Sequence, residues 1–76
     1  MNRFFLLYDD WEMAEEASIR AECALSRRLD AYCEGTGAAP TLDEIAQARH
    51  LKRVVAHRLR SLTAWLGHER AHSRVI

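Results

Sequence analysis

The chain has 76 residues, a formal net charge of zero and a hydrophobic content of 49%. That length allows one small domain with a thin core, because a chain of this size buries only about 60% of its unfolded surface. The apolar run near the N-terminus, residues 4–8, is too short for a signal-peptide core or a membrane span, so we expect a cytoplasmic protein without a membrane partner.

Charge is divided unevenly along the chain. Residues 1–44 carry ten acidic side chains and four arginines, whereas residues 45–76 carry seven basic side chains and one glutamate. This division predicts either an acidic and a basic binding surface or two helices that neutralise each other. Ten arginines to one lysine, with many alanines, are also typical of GC-rich bacterial or phage genomes.

The first nine residues combine an apolar run with two aspartates. Residues 4–8 fit helical spacing and also fit a short strand, so periodicity leaves their conformation open. Asp9 and Asp10 are good helix N-caps, and Asp9 with Glu12 resembles a capping box. We therefore predict an apolar arm over residues 1–9, which either packs on the hairpin as core or anchors a partner.

Residues 10–34 have the pattern of a first long helix. Glutamates lie near its start, and Arg27 and Arg28 lie near its end, in agreement with the helix dipole. Small residues recur at the spacing of a packing seam, at Ala14, Ala17, Ala21 and Ala24. Apolar side chains continue this stripe at Leu25, Leu29 and Tyr32.

Two cysteines lie ten residues apart on this predicted helix. Cys23 and Cys33 would then be about 15 Å apart along the helix axis, which is too far for a disulfide within the chain. We expect buried thiols, and an intermolecular bridge or metal ligation are the alternatives.

Residues 35–40 separate the two helical patterns. Gly35 and Gly37 accept the left-handed conformation that closes a helix, and Pro40 cannot continue one. Thr41 and Glu44 predict a capping box, in which the hydroxyl accepts from the Glu44 amide and the carboxylate accepts from the Thr41 amide. A stop signal followed by a start signal predicts an antiparallel helical hairpin.

Residues 41–66 have the pattern of the second helix. Bulky apolar side chains recur along it, together with Ala48, at Ile45, Leu51, Val54, Val55, Leu59, Leu62, Trp65 and Leu66. Gly67 favours a helix end, which leaves residues 67–76 as a frayed or weakly helical tail.

A fold near residue 38 would pair small residues of the first helix with large residues of the second. In this register Trp11 approaches Trp65 at the open end of the hairpin. Opposite charges are also predicted to face each other, with the acidic start of the first helix beside Arg58, Arg60 and Arg70, and with Arg27 and Arg28 beside Asp43 and Glu44.

Aromatic residues are predicted to gather at the open end of this hairpin. The set comprises Phe4, Phe5, Tyr8, Trp11 and Trp65. These rings either seal the end of the core or form a patch that binds a partner, since tyrosine and tryptophan are enriched where interfaces concentrate their energy.

Basic residues on the second helix predict an alternative site for RNA or DNA. The phosphate-contacting positions in this hypothesis are Arg49, Lys52, Arg53 and Arg60. No aromatic residue is interleaved with them to stack a base, and the net charge of the chain is zero.

Residues 68–72 match the zinc-protease pattern H-E-x-x-H, in which two histidines one turn apart bind the metal. His68 and His72 nevertheless follow a glycine and have no downstream third ligand, and the chain is too small for a substrate cleft. The cysteines and serines lie outside any recognisable nucleophile motif. We therefore expect no catalytic activity, no metal and no cofactor, with metal binding by His68 and His72, adventitious or bridging a dimer, as the alternative.

The sequence as a whole predicts an all-α antiparallel hairpin with an apolar N-terminal arm, which pairs with a second copy in a four-helix bundle. A hairpin has a single layer, so each helix keeps an uncovered side. The predicted function is that of a small non-enzymatic module that binds and regulates or inhibits a larger protein, with nucleic-acid binding as the alternative.

Overall fold

A computed structural model describes the backbone of residues 3–74 and the side chains of residues 3–70. Within these ranges the chain forms two helices, α1 over Arg3–Cys33 and α2 over Leu42–Arg74, and no strand. The two helices pack side by side in a rod that measures 64 × 19 × 16 Å. The predicted all-α hairpin is therefore confirmed.

Contacts at the two ends of the rod show that the helices are antiparallel. The ring of Phe4, in the first turn of α1, lies 6.0 Å from the ring of Trp65, late in α2. Arg28, near the end of α1, lies 3.2 Å from Glu44 in the first turn of α2. The turn thus closes one end of the rod, and the aromatic residues occupy the other.

The turn closes α1 with a Schellman motif. Gly35 has a φ of 77°, in the left-handed region that glycine adopts at no steric cost. The Thr36 amide donates to the Ala31 carbonyl over 2.8 Å, and the Gly35 amide donates to the Tyr32 carbonyl over 3.1 Å. These bonds satisfy carbonyl groups that the helix end leaves open, so the predicted stop is confirmed.

Thr41 caps the start of α2, as predicted. The Glu44 amide donates to the Thr41 hydroxyl over 3.1 Å. The Glu44 carboxylate accepts from that hydroxyl over 3.2 Å, rather than from the Thr41 amide, and the same oxygen lies 3.2 Å from the guanidinium of Arg28. Glu44 thereby joins the start of α2 to the last turns of α1.

The seam between the helices is narrow. Among the described side chains the buried ones are Ser18 on α1 and Ala48 and Leu62 on α2. Half-buried residues extend the seam at steps of three and four, on α1 at Leu7, Trp11, Ala14, Ala21 and Leu25, and on α2 at Leu51, Val55 and Trp65. This seven-residue period is typical of coiled-coil packing.

The α1 seam differs from the predicted stripe at four positions. Ser18 was not among the predicted seam residues and is buried, whereas Ala24, Leu29 and Tyr32 were predicted to pack and are exposed. For Ser18 and Ala24 the reason is the period, because a strict seven-residue repeat through Leu25 includes Ser18 and passes beside Ala24.

The predicted start of the first helix at Asp10 is wrong, because α1 begins at Arg3 and runs through Asp9 and Asp10. Of the conformations left open for residues 4–8, the structure has the helix. Phe4 packs against Trp65, so the first turns have a tertiary contact. Packing of this kind outweighs local capping preferences. Residues 1 and 2 lie outside the described part of the chain.

The predicted helix end at Gly67 is also wrong, because α2 continues to Arg74. A glycine inside a helix costs only about 1 kcal/mol relative to alanine, which contacts with the extended start of α1 can offset. The predicted tail over residues 67–76 is thus helical as far as residue 74, and residues 75 and 76 lie outside the described range.

Two ion pairs join the helices among the side chains of residues 3–70. Arg28 pairs with Glu44, as predicted, and Lys52 Nζ lies 2.8 Å from Glu22 Oε1. The acidic start of α1 was predicted to face Arg58, Arg60 and Arg70. Within residues 3–70 these arginines form no ion pair with it. Both pairs are exposed to solvent, so each contributes at most about 1 kcal/mol.

Candidate functional site

The five predicted aromatic residues meet at the open end of the hairpin and form what we call the aromatic cluster: Phe4, Phe5, Tyr8, Trp11 and Trp65. Phe4 is central, since its ring centroid lies 5.6 Å from that of Phe5 in an edge-on contact. It lies 6.0 Å from Tyr8 in a stacked contact and 6.0 Å from Trp65. Tyr8 in turn contacts Trp11 over 5.7 Å.

The register of the cluster differs from the predicted one. Trp65 packs against Phe4, whereas Trp11 joins the cluster through Tyr8. The prediction brought Trp11 to Trp65 because it folded the chain near residue 38, whereas the observed contacts of Phe4 with Trp65 and of Arg28 with Glu44 place the fold nearer the N-terminus. Sequence reasoning therefore identified the members of the cluster but not their contacts.

The cluster has an inner and an outer part. Phe4, Trp11 and Trp65 are half-buried, whereas Phe5 is 57% exposed and Tyr8 is 39% exposed. The indole nitrogen of Trp11 is buried and has no hydrogen-bond partner within the described chain. The inner rings hold the outer ones on a rigid helix, which favours binding because few rotamers are lost.

An open groove runs between the helices near the turn. On α1 it is lined by Glu22, Leu25, Ser26 and Leu29, and on α2 by Ile45, Ala48, Arg49 and Lys52. Residues seven apart lie on nearly the same face of a helix, so steps of seven from these residues trace one side of the whole rod. We call this side the apolar flank.

Large exposed apolar residues concentrate on the apolar flank. On α1 the steps of seven reach Phe5, Tyr8, Ile19, Leu29 and Tyr32, and on α2 they reach Leu42, Leu59 and Leu66. These are eight of the ten large apolar residues that are exposed in the described chain. The sequence analysis missed this surface, although the seven-residue spacing of Ile45, Leu59 and Leu66 was the available signal.

The opposite side of the hairpin exposes fewer large apolar side chains. Its groove is lined by Ala21, Ala24, Leu25, Asp43, Glu44 and Gln47. Steps of seven from these positions lead to Ala17 and Asp10 on α1 and to Val54, Ser61 and His68 on α2. The two sides therefore differ in how many large apolar side chains they expose.

The basic positions of the alternative site are all exposed on α2, at Arg49, Lys52, Arg53 and Arg60. Lys52 is engaged by Glu22 of α1. The three arginines form no ion pair with any side chain in residues 3–70, so their charge is available to an anion.

Histidine and cysteine side chains are dispersed over the surface. His68 lies within α2, whereas the side chain of His72 lies outside the described residues. No three His, Cys, Asp or Glu side chains in the described part come together as a metal site would require. Cys23 and Cys33 are exposed, so the prediction of buried thiols is wrong, because both lie off the α1 seam.

No protein-family model, curated protein or solved structure matches the chain. Over the described residues, neither helix is long and apolar enough to cross a membrane. Inference about function therefore starts from the aromatic cluster, the apolar flank and the arginines of α2.

Proposed function

We propose that the protein is a non-enzymatic, cytoplasmic binding module that regulates or inhibits a larger protein through the aromatic cluster. The observation that carries the proposal is the exposure of Phe5 and Tyr8 on a support of packed rings. Exposed aromatic residues held in place are the residues through which interfaces gain most of their binding energy. The working state in this proposal is a homodimer that forms a four-helix bundle.

The surroundings of the cluster define the chemistry of the partner. The exposed residues Asp9, Asp10 and Glu12 share the first turns of α1 with Phe5 and Tyr8. A complementary surface has an apolar pocket for the Phe5 ring and basic side chains around it. Such charges at the rim steer association and select the partner more than they tighten the complex.

Replacement of Phe5 by alanine tests the proposal. We expect a protein captured by the wild-type chain to bind F5A at least tenfold more weakly, because the exposed ring is lost while its supporting rings remain. Affinity is measured by calorimetry with the purified partner, and circular dichroism checks the fold of the variant.

Met13 supplies the matched control, since it is 69% exposed on α1 away from the cluster. Met13→Ala should bind the partner as the wild type does. Equal binding by F5A and the wild type, equal losses in both variants, or no protein captured by the wild-type chain would each contradict the proposal.

Nucleic-acid binding remains the second candidate, and the unpaired arginines of α2 favour it. Arg49, Arg53 and Arg60 project from one helix without an ion-pair partner in the described chain, so they can neutralise phosphates. If they do, the logarithm of the binding constant should fall with the logarithm of salt concentration with a slope of about −2 to −3.

Simultaneous replacement of these three arginines by glutamine should abolish that slope. The matched control carries Arg20→Gln and Arg27→Gln on α1, where the exposed arginines also form no ion pair in the described part. Binding of a structured RNA, measured by fluorescence anisotropy, must respond to the first set and not to the second. Indifference to salt would contradict this function.

A further inference from the structure

We propose that the apolar flank binds a second copy of this chain about a twofold axis that runs along the rod, which places both aromatic clusters at the same end of the dimer. The inference specifies the interface and the axis of the dimer. The dimer would offer two Phe5 rings on one surface to one larger protein. This last step rests on the proposed function.

The apolar flank has the size of a stable dimer interface. The rod is 64 Å long and 16 to 19 Å across, so one side covers on the order of 1,000 Å². A typical stable interface covers about 800 Å² on each partner. A single chain also leaves most of its large apolar residues on this side open to water.

The charges of the flank complement those of a second copy. Steps of seven from the groove assign Glu12, Glu15 and Glu22 to the α1 side of the flank, and no basic residue. Its α2 side carries Arg49, Lys52 and Arg70, and one acidic residue, Glu69, near the open end. Each flank thus has an acidic half and a basic half.

This charge pattern selects the direction of the twofold axis. An axis along the rod sets α1 of each copy opposite α2 of the other and keeps every residue at its own level. Because Glu22 and Lys52 lie at one level, Glu22 of the second copy comes level with Lys52 and within one helical turn of Arg49. An axis across the rod would set α1 against α1, where the glutamates repel one another.

The same rotation matches the apolar residues of the two copies. Leu29 and Ile45 line the same groove near the turn, so Leu29 meets Ile45 of the second copy. Tyr8 and Leu66 lie at the open end, next to the contact between Phe4 and Trp65. Apolar contacts therefore form at both ends of the interface.

Phe5 stays at the edge of this interface. Successive residues are 100° apart around a helix, and on this count the angle between Phe5 and the seam is larger than the angle between Tyr8 and the seam. The greater exposure of Phe5 agrees with this position. The second copy covers Tyr8 and leaves Phe5 accessible, so dimerisation and partner binding use neighbouring surfaces.

Glutamate substitutions on the flank test the interface. Leu29 is 46% exposed and Leu59 is 43% exposed, so glutamate at either position is compatible with the fold of one chain. We expect L29E and L59E each to raise the dimer dissociation constant at least about 100-fold in analytical ultracentrifugation, because each buries a charge in the dimer.

Met13→Glu is the control, since Met13 lies outside the flank, and it should change the dissociation constant less than about threefold. Circular dichroism of all three variants checks that the helices are retained. A monomeric wild type at about 100 μM, or a Met13→Glu variant as weak as L59E, would overturn the assignment of the flank.

The native Cys33 tests the axis. With Cys23 replaced by serine, a spin label on the exposed Cys33 marks the turn end of each chain. Pulsed electron resonance should give a distance of about 20–30 Å between the labels, which is two to three helix diameters. A distance that approaches the 64 Å length of the rod would overturn the axis.

The two proposals fail separately. A dimer with another interface or axis contradicts the present inference and leaves Phe5-dependent binding intact. If F5A and the wild type bind the partner with equal affinity, the proposed function is contradicted and the geometry of the dimer is unaffected.

Discussion

At the scale of single residues, Gly35 and Gly67 differ in backbone conformation. Gly35 has a φ of 77°, whereas Gly67 lies inside α2 with open space where a Cβ would be. Gly35→Ala should therefore lower the free energy of unfolding by about 1–2 kcal/mol. Gly67→Ala should raise it by about 1 kcal/mol.

Urea unfolding followed by circular dichroism, at one protein concentration, measures both changes. A Gly35→Ala variant as stable as the wild type would show that the turn does not require a left-handed residue. A Gly67→Ala variant without added stability would show that α2 does not continue through residue 67.

At the scale of the helices, the start of α2 depends on the Thr41 hydroxyl, which accepts from the Glu44 amide. Thr41→Ala should lower the free energy of unfolding by about 1 kcal/mol, because the first turn loses its cap. Thr63 is the matched control, since its hydroxyl donates to the Leu59 and Arg60 carbonyls of its own helix.

Thr63→Ala should leave stability unchanged or raise it by about 0.5 kcal/mol, because alanine is the better helix former. Urea unfolding again gives the measurement. Equal losses in both variants would mean that the hydroxyl of Thr41 acts as an ordinary surface contact and not as a cap.

The helix ends show why some elements could be predicted and others not. The end of α1 and the start of α2 are set by Gly35, Thr36 and Thr41, whose bonds reach only a few residues along the chain. The start of α1 at Arg3 depends instead on the contact between Phe4 and Trp65, which lies far away in sequence. Local signals at Asp9 and Asp10 were therefore misleading.

At the scale of the whole molecule, the thin seam makes stability dependent on assembly. With Ser18, Ala48 and Leu62 as its buried residues within the described part, one chain has little core of its own. We expect the melting temperature to rise by about 5–10 °C over a 100-fold increase in protein concentration, because folding and dimer formation are coupled.

Differential scanning calorimetry at several concentrations makes this measurement, and L59E is the comparison. Its melting temperature should be lower and should vary less with concentration, since its charge blocks the flank. A wild-type melting temperature that is independent of concentration would mean that the hairpin is stable as a single chain.

The sequence by itself determined the two helices, the turn between them and the membership of the aromatic cluster, because turn chemistry and helical periodicity depend on near neighbours. Only the tertiary structure decided the register that sets Phe4 against Trp65, the passage of α2 through Gly67 and the exposure of Cys23 and Cys33. Each of these depends on which faces of two distant segments pack together, and a small shift in register changes them all.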